Sequence, residues 1–232
     1  LAGNIADSIT RNFKIDKTGP ETPPTLVSPA NASLLGSYIT EMCFNAAVDS
    51  VSGINRYELY LDGQMYGQVE SGQFCATAET PDGTHTWFIR AYDGVGNHTD
   101  STEWSFVIDT TPPAAFTLVS PLSGSDTQNL SPTFCWHQTT DFGSGLDRYE
   151  LLMTQTGGNH SVMSIQASTS QSDPICLTMP WTFAVGTYDW LVVAYDLVGN
   201  QTSAGGGVPW SLTISADFTK PIPIVTTPTV NM

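Results

Sequence analysis

The stretch Asp82-Gly-Thr-His-Thr-Trp-Phe-Ile-Arg-Ala-Tyr-Asp-Gly-Val-Gly-Asn97 returns later in the chain as Val185-Gly-Thr-Tyr-Asp-Trp-Leu-Val-Val-Ala-Tyr-Asp-Leu-Val-Gly-Asn200. Two copies imply two domains built alike. In the later copy Tyr188, Trp190, Val192 and Ala194 alternate with residues of the other face, which is the period of a half-buried strand, and Gly199-Asn200 supplies a turn. This strand is the core of each repeat. A fragment of the same signal opens the chain: Leu1-Ala-Gly-Asn4 matches Leu197-Val-Gly-Asn200, and Phe13-Lys-Ile-Asp16 matches Phe106-Val-Ile-Asp109. The chain is therefore expected to begin inside a third repeat and to be a section of a longer array.

Working outward, Leu26-Val-Ser-Pro29 returns as Leu118-Val-Ser-Pro121, and the same shift carries Cys43 to Cys135, Asp49 to Asp141, Gly53 to Gly145 and Arg56-Tyr-Glu58 to Arg148-Tyr-Glu150. The second copy gains residues around Thr154-Gln-Thr-Gly-Gly-Asn159 and Ala204-Gly-Gly-Gly207, both read as longer loops. Each repeat shows seven short strands. In the first these are A near Thr25, B at Glu41 to Asn45, C at Arg56 to Leu61, D near Gln64 to Val69, E at Gln73 to Thr77, F at Thr84 to Tyr92 and G at Glu103 to Ile108. Strands so spaced, without helical periodicity between them, predict an all-β chain of two tandem Greek-key sandwiches with antiparallel sheets. The domain reading is a strand stub over 1–19, sandwiches over 20–110 and 111–215, and a Pro- and Thr-rich linker over 216–232. The junction Ile108-Asp-Thr-Thr-Pro-Pro113 carries prolines whose fixed φ stiffens the connection, so a semi-rigid rod is expected.

The balance of 22 acidic against 7 basic residues gives a formal charge of −15, which disfavours nucleic acid and anionic lipid as partners. No apolar run approaches the roughly 18 residues that span a bilayer, so no membrane contact is expected within this section. No Gly-x-Ser-x-Gly occurs and no paired carboxylates mark a cleft, so no enzymatic activity is expected.

With these residues in view, the chain resembles the bacterial immunoglobulin-like and fibronectin type III-like repeats of long cell-surface proteins. The resemblance rests on the opening Leu-Val-Ser-Pro, the Asp49…Ser-Gly-Ile54-x-x-Tyr57 segment, Gly-Thr-x-x-Trp87, Ala-Tyr-Asp93-x-x-Gly-Asn97 and the closing Ile-Asp109-Thr-Thr-Pro-Pro. It implies tandem rods that hold adhesive or catalytic modules away from an envelope. Two departures stand out: cysteine pairs are unusual in such repeats, and His85 stands where Tyr188 starts strand F of the second copy, so the first copy is expected to lack a tyrosine-corner hydrogen bond.

Cys43 with Cys75 and Cys135 with Cys176 fall on neighbouring strands B and E, and a disulfide within each repeat is the simplest pairing. The alternatives are free thiols or a zinc site, the latter without any Cys-x-x-Cys. Disulfides imply an oxidising, extracellular setting. Asn31, Asn97, Asn129, Asn159 and Asn200 each begin an Asn-x-Ser/Thr sequon, which a Ser/Thr-rich chain also yields by chance. Tyr60, Phe88, Tyr92 and Tyr195 offer a carbohydrate-stacking strip or simply the cover of a sheet face.

The topology brings the incoming linker and the BC and FG loops to one pole. That places Asp16, Asp49 and Asp93 together in the first domain and Asp109, Asp141 and Asp196 together in the second, a repeated triplet suited to Ca²⁺. The competing role for each Asp is to cap its own turn or to pair with Arg56 or Arg148. The expected function is a structural spacer of an extracellular, repeat-built surface protein, an adhesin stalk, sheath or surface-layer component. The alternatives are accessory domains of a secreted polysaccharide-degrading enzyme, or a carbohydrate-binding module. Expected partners are other repeats of the same chain, other copies through strand addition by Ile9 to Asp16, and surface glycans or proteins.

Overall fold

The computed structural model describes residues 13–216 apart from 71, 157, 159 and 167–171. The residues before 13, the stretch after 216 and the Asn159 sequon lie outside the described residues. The chain divides into two compact units, Leu1–Thr111 and Pro112–Met232.

Both units are β-sandwiches. In the first, β1 (Thr25–Ser28), β3 (Ile39–Asn45) and β6 (Cys75–Glu79) form a three-stranded sheet. The facing sheet runs in the order β2 (Ser33–Leu35), β9 (Trp104–Ile108), β7 (Gly83–Asp93), β4 (Ile54–Leu61), β5 (Gln64–Glu70), with β8 (His98–Asp100) also on β7. The second unit repeats the plan with β10 (Leu118–Ser120), β12 (Thr133–Trp136) and β15 (Ile175–Thr178). These face β11 (Ser125–Thr127), β18 (Trp210–Ile214), β16 (Gly186–Asp196), β13 (Leu146–Gln155) and β14 (His160–Gln166), with β17 (Gln201–Ser203) on β16.

The sheets depart from the sequence reading in three places. Strand A is split: β1 pairs antiparallel with β3, whereas β2 pairs parallel with β9, and β11 with β18 likewise. The break falls at Pro29 and Pro121, which have no N–H to continue a ladder, so the expectation of wholly antiparallel sheets fails at this edge. The strand read as D stays on β4, because Asp62 and Gly63 both adopt positive φ (50° and 73°) and close a two-residue hairpin that returns the chain against its own sheet. In the second unit Thr154 and Gln155 extend β13 rather than forming loop.

The core is the row of inward residues between the sheets. Trp87, Ile89, Ala91, Phe106 and Ile108 are wholly buried in the first unit, as are Trp136, Trp190, Val192, Ala194 and Leu212 in the second. Tyr57 and Tyr149, from the repeated Arg-Tyr-Glu, bury their rings and accept hydrogen bonds at their hydroxyls from the Ala47 and Thr139 N–H groups, 3.1 and 2.9 Å. Cys43 stands opposite Cys75 and Cys135 opposite Cys176, and both pairs close as disulfides across strands B and E.

At the opposite end of the F strand the second unit has its tyrosine corner, Tyr188 donating from its hydroxyl to the Ala184 carbonyl at 2.9 Å. In the first unit His85 does the same: Nε2 lies 2.9 Å from the Pro81 carbonyl, also four residues back. A carbonyl and a carboxylate both only accept, so Nε2 donates to Pro81 and Nδ1 donates to Asp62. The expected loss of the corner bond is therefore corrected; the imidazole replaces the phenol and adds a second contact, Nδ1 to Asp62 Oδ2 at 2.8 Å. Burial pushes the Asp62 carboxyl up, but the hydrogen bonds from His85 and the Thr86 N–H outweigh it and hold its pKa below the usual carboxylate value. A lowered folded-state pKa contributes stability that is present above the unfolded value and lost as pH falls through the folded one.

His85→Phe keeps the packing against Phe106 and strips both hydrogen bonds, leaving the Pro81 carbonyl without its partner. The expected cost is about 1–3 kcal/mol in urea denaturation, with a shallower loss of stability on acidification below the carboxylate range than in the parent chain.

Candidate metal centre at the linker pole

The carboxylates singled out by the sequence sit at the ends of the central strands, in turns that each of them organises. Asp49 Oδ1 accepts from the N–H groups of Val51, Ser52 and Gly53 at 3.1, 2.7 and 2.8 Å. Asp93 Oδ1 accepts from the Val95 and Asn97 N–H groups at 3.0 and 2.8 Å, and its Oδ2 takes the Asn97 side-chain amide at 2.7 Å. Asp16 Oδ1 accepts from the Thr18 N–H and hydroxyl, both at 3.2 Å. Gly94 lets the two loops meet, since a Cβ there would stand 2.7 Å from the Ser52 carbonyl.

These turns bring one oxygen each of Asp16, Asp49 and Asp93 within 4.8 Å of one another. Asp93 is 1% exposed; burial pushes its carboxyl up, but the hydrogen bonds from Asn97, Val95 and Gly96 outweigh this and keep it below the usual range. Asp16 Oδ2 is buried with no hydrogen-bond partner among the described residues. Three converging carboxylates suit a hard cation, which takes six to eight oxygens and fills its remaining positions with carbonyls or water. The capping role and the convergence thus coexist, because the turns engage only Oδ1 of Asp16 and Asp49, while Asp93 Oδ2 accepts a single amide donor, Asn97 Nδ2. The proposed pairing with arginine is not what the structure shows: Arg56 bonds Glu58, and Arg148 bonds Asp147 and Glu150.

In the second unit Asp141 Oδ1 accepts from Gly143 and Gly145, and Asp196 Oδ1 from Val198, Gly199 and Asn200, with Asn200 Nδ2 on Asp196 Oδ2 at 2.7 Å. Asp109 follows β9 in the first unit, where its Oδ1 accepts the Thr111 N–H at 3.1 Å, the pattern that Asp16 makes with Thr18.

Sequence reasoning missed the residues that seat the linker. Asn97 Nδ2 also donates to the Thr18 carbonyl at 3.1 Å and Thr99 Oγ1 to the Pro20 carbonyl at 3.0 Å; in the second unit Thr202 Oγ1 donates to the Pro113 carbonyl at 2.5 Å. Gly19 lies against the His98 carbonyl so closely that no side chain fits. The Asn-x-Thr of Asn97 and Asn200 was read as a sequon, yet its amide nitrogen locks the FG turn and its threonine locks the entering proline. The signal that could have revealed this was its return at the same place after Asp93 and Asp196. Asn31 and Asn129 are exposed, their Oδ1 atoms accepting from the Ser105 and Ser131 N–H groups.

Within each unit, the rings read as an aromatic strip have a plane covered by a neighbouring side chain. Tyr60 stacks on Phe88 at 4.6 Å, Arg90 lies over Tyr60, Arg56 over Tyr92 at 3.8 Å and Arg148 over Tyr195 at 4.1 Å.

Among solved structures, the fibronectin(III)-like modules of Clostridium thermocellum CbhA match with a TM-score of 0.50 and 15% identity, over 83% of this chain and 94% of that one. The two units are fibronectin type III-like sandwiches. No family model matches the sequence. Exoglucanase B of Cellulomonas fimi is 27% identical over 99% of this chain and 20% of its own length, and chitinase A1 of Niallia circulans 26% identical over 95% and 31%. The chain thus spans a fifth to a third of the curated relatives it matches.

Asn97→Ala removes both amide donations, and Thr99→Val removes the hold on Pro20. Each is expected to lower the stability of the first unit by about 1–2 kcal/mol and to speed tryptic cleavage after Lys17, read by mass spectrometry against the parent chain.

Proposed function

We propose that the chain is a non-catalytic extracellular spacer, whose tandem sandwiches set reach between the modules of a longer, repeat-built protein and whose linker pole holds Ca²⁺. The observation that carries this reading is the repeated linker lock: in each unit the same FG-loop threonine fastens the carbonyl of the entering proline, Thr99 on Pro20 and Thr202 on Pro113. Fixing the approach of the chain to each domain is what a spacer requires and what a freely tethered binding module does not. The disulfides support an oxidising compartment, and a surface-protein stalk is the setting that the sequence resemblance favours.

A second reading has its own support. Both curated relatives carry names of polysaccharide-degrading enzymes, and almost the whole of this chain aligns with a minor part of each. On that reading the two sandwiches separate the catalytic and other modules of a secreted polysaccharidase. The physical role is the same, and the sequence flanking this section in the full-length protein separates the two: further Asp-Thr-Thr-Pro-Pro repeats support the stalk, a catalytic module the enzyme.

Calcium is supported by the convergence of Asp16, Asp49 and Asp93 and by the buried Oδ2 of Asp16. A ligand bound only by the folded state at one hundred times its Kd stabilises it by about 2.7 kcal/mol, a shift of about 10 °C for a domain of this size. The first unit is expected to melt higher in millimolar Ca²⁺ than in excess chelator, and Asp16→Asn to shrink the difference. Identical melting curves in the two buffers would overturn the metal assignment.

A further inference from the structure

The EF loop of the second unit holds a tryptophan outward on a fixed frame. Met179 (3% exposed) and Phe183 (8%) anchor in the core on either side of Trp181, which is 40% exposed. Three hydrogen bonds pin the loop to the segment before β12: Met179 N–H to the Pro132 carbonyl, Ser131 Oγ to the Trp181 carbonyl and Phe183 N–H to the Leu130 carbonyl at 2.8 Å. A loop so tied between two buried anchors has its backbone fixed on either side of Trp181.

Trp181 borders a recess of about 210 Å³, lined also by Gln155, Ser161, Thr182, Phe183 and Tyr188. Its lining contains no carboxylate, ammonium or guanidinium. The Gln155 side-chain amide has no hydrogen-bond partner among the described residues, and it lies so close over Gly186 that a Cβ there would come within 2.9 Å of Nε2. The Tyr188 hydroxyl is committed to Ala184, so the polar groups left to a ligand are one amide and two hydroxyls beside an indole face. The recess is smaller than the roughly 300–1,000 Å³ that encloses a drug-sized ligand. The first unit offers no counterpart: the hairpin that carries Gln155 is there the tight Asp62-Gly63 turn, and its EF loop, Thr80-Pro-Asp-Gly83, has no aromatic residue.

We propose that this recess is a subsite for a single neutral pyranose ring of a glycan chain. The apolar face of the sugar rests on the Trp181 indole, and its hydroxyls or acetamide take hydrogen bonds from Gln155, Ser161 and Thr182. An uncharged lining of amide and hydroxyl groups suits a polyhydroxylated neutral ring and offers an ionic ligand no counter-charge, least of all an anion on a chain of charge −15. The preset loop lowers the ordering cost that weakens binding at shallow sites. This goes beyond the spacer reading and does not depend on it.

The test is titration of the full chain, labelled with ¹⁵N, with cellohexaose, with chitohexaose and with the anionic hexagalacturonate, following the indole N–H resonances. The expected result is a saturable shift of one indole resonance by at least one of the two neutral sugars at millimolar concentration, none by hexagalacturonate, disappearance of that resonance and of all shifts in Trp181→Ala, and binding weakened severalfold in Gln155→Ala with every indole retained. Absence of any shift with both neutral sugars would overturn the proposal, as would a shift that survives in Trp181→Ala or an equal response to hexagalacturonate. If Trp181→Ala does not keep the parent spectrum, Gln155→Ala decides, and undiminished binding there counts against the subsite.

Discussion

The inward row of the F strand is the constraint on which each unit depends. In the first unit it reads His85, Trp87, Ile89, Ala91, Asp93 and in the second Tyr188, Trp190, Val192, Ala194, Asp196, and no residue of either row exceeds 7% exposure. The three middle residues drive the packing of the two sheets through their apolar surface, the Trp87 and Trp190 indole N–H groups finding no partner among the described residues. The end residues are polar and just as deeply buried, so each must be satisfied locally, because an unpaired buried polar group costs about as much as a core contact gains. Both poles of the sandwich are consequences. At one, the EF loop must present a carbonyl four residues back to a phenol or an imidazole. At the other, the FG turn must wrap its N–H groups around a carboxylate, and the asparagine that completes this wrap is the residue that reaches the incoming linker in the first unit.

The disulfides act at a different place. They join strands B and E of the smaller sheet, which has only three strands and lacks the central position enjoyed by β7 and β16. Closing loops with sequence separations of 32 and 41 stabilises each unit by about 3.5–4 kcal/mol in the chain-entropy model. That is comparable to truncating a buried tryptophan such as Trp87 to alanine, about 3–5 kcal/mol. Both sheets share the core, to which the smaller ones contribute Met42, Phe44, Phe134 and Trp136, and the smaller sheet of each unit carries a covalent tie in addition.

What the sequence made legible follows from the same physics. The period of two in Tyr188, Trp190, Val192 and Ala194 reports burial directly, and with it came the fold class; the pairing of Cys43 with Cys75 came from their places on the neighbouring strands B and E. The convergence of Asp16, Asp49 and Asp93 was legible because topology alone places the ends of those loops together. Three things were not. The splitting of strand A depends on where an edge changes partner, and a sequence carries only the proline that permits it. The corner bond of His85 was hidden because an imidazole and a phenol look unlike in sequence while offering the same donor at the same reach. The roles of Asn97 and Thr99 were masked by a motif that reads as a modification signal, although the hydrogen bonds it makes are internal.

The distribution of cations bears on the acidic pole. The chain has only 7 Lys and Arg residues against 22 Asp and Glu. Arg56, Arg90 and Arg148 all lie on the outer faces of the large sheets, paired with Glu58, with Asp100, and with Asp147 and Glu150, and laid over Tyr92, Tyr60 and Tyr195. There each guanidinium both neutralises a carboxylate and covers a ring that would otherwise face water. None of the three is within salt-bridge reach of Asp16, Asp49 or Asp93, and no described lysine forms an ion pair with them. Backbone dipoles satisfy the turn-forming oxygens but bring no net charge, so among the described residues no cation pairs with the three carboxylates that converge within 4.8 Å. On the calcium reading proposed above, the three described arginines serve the sheet faces and the ion supplies the neutralisation where the linker enters.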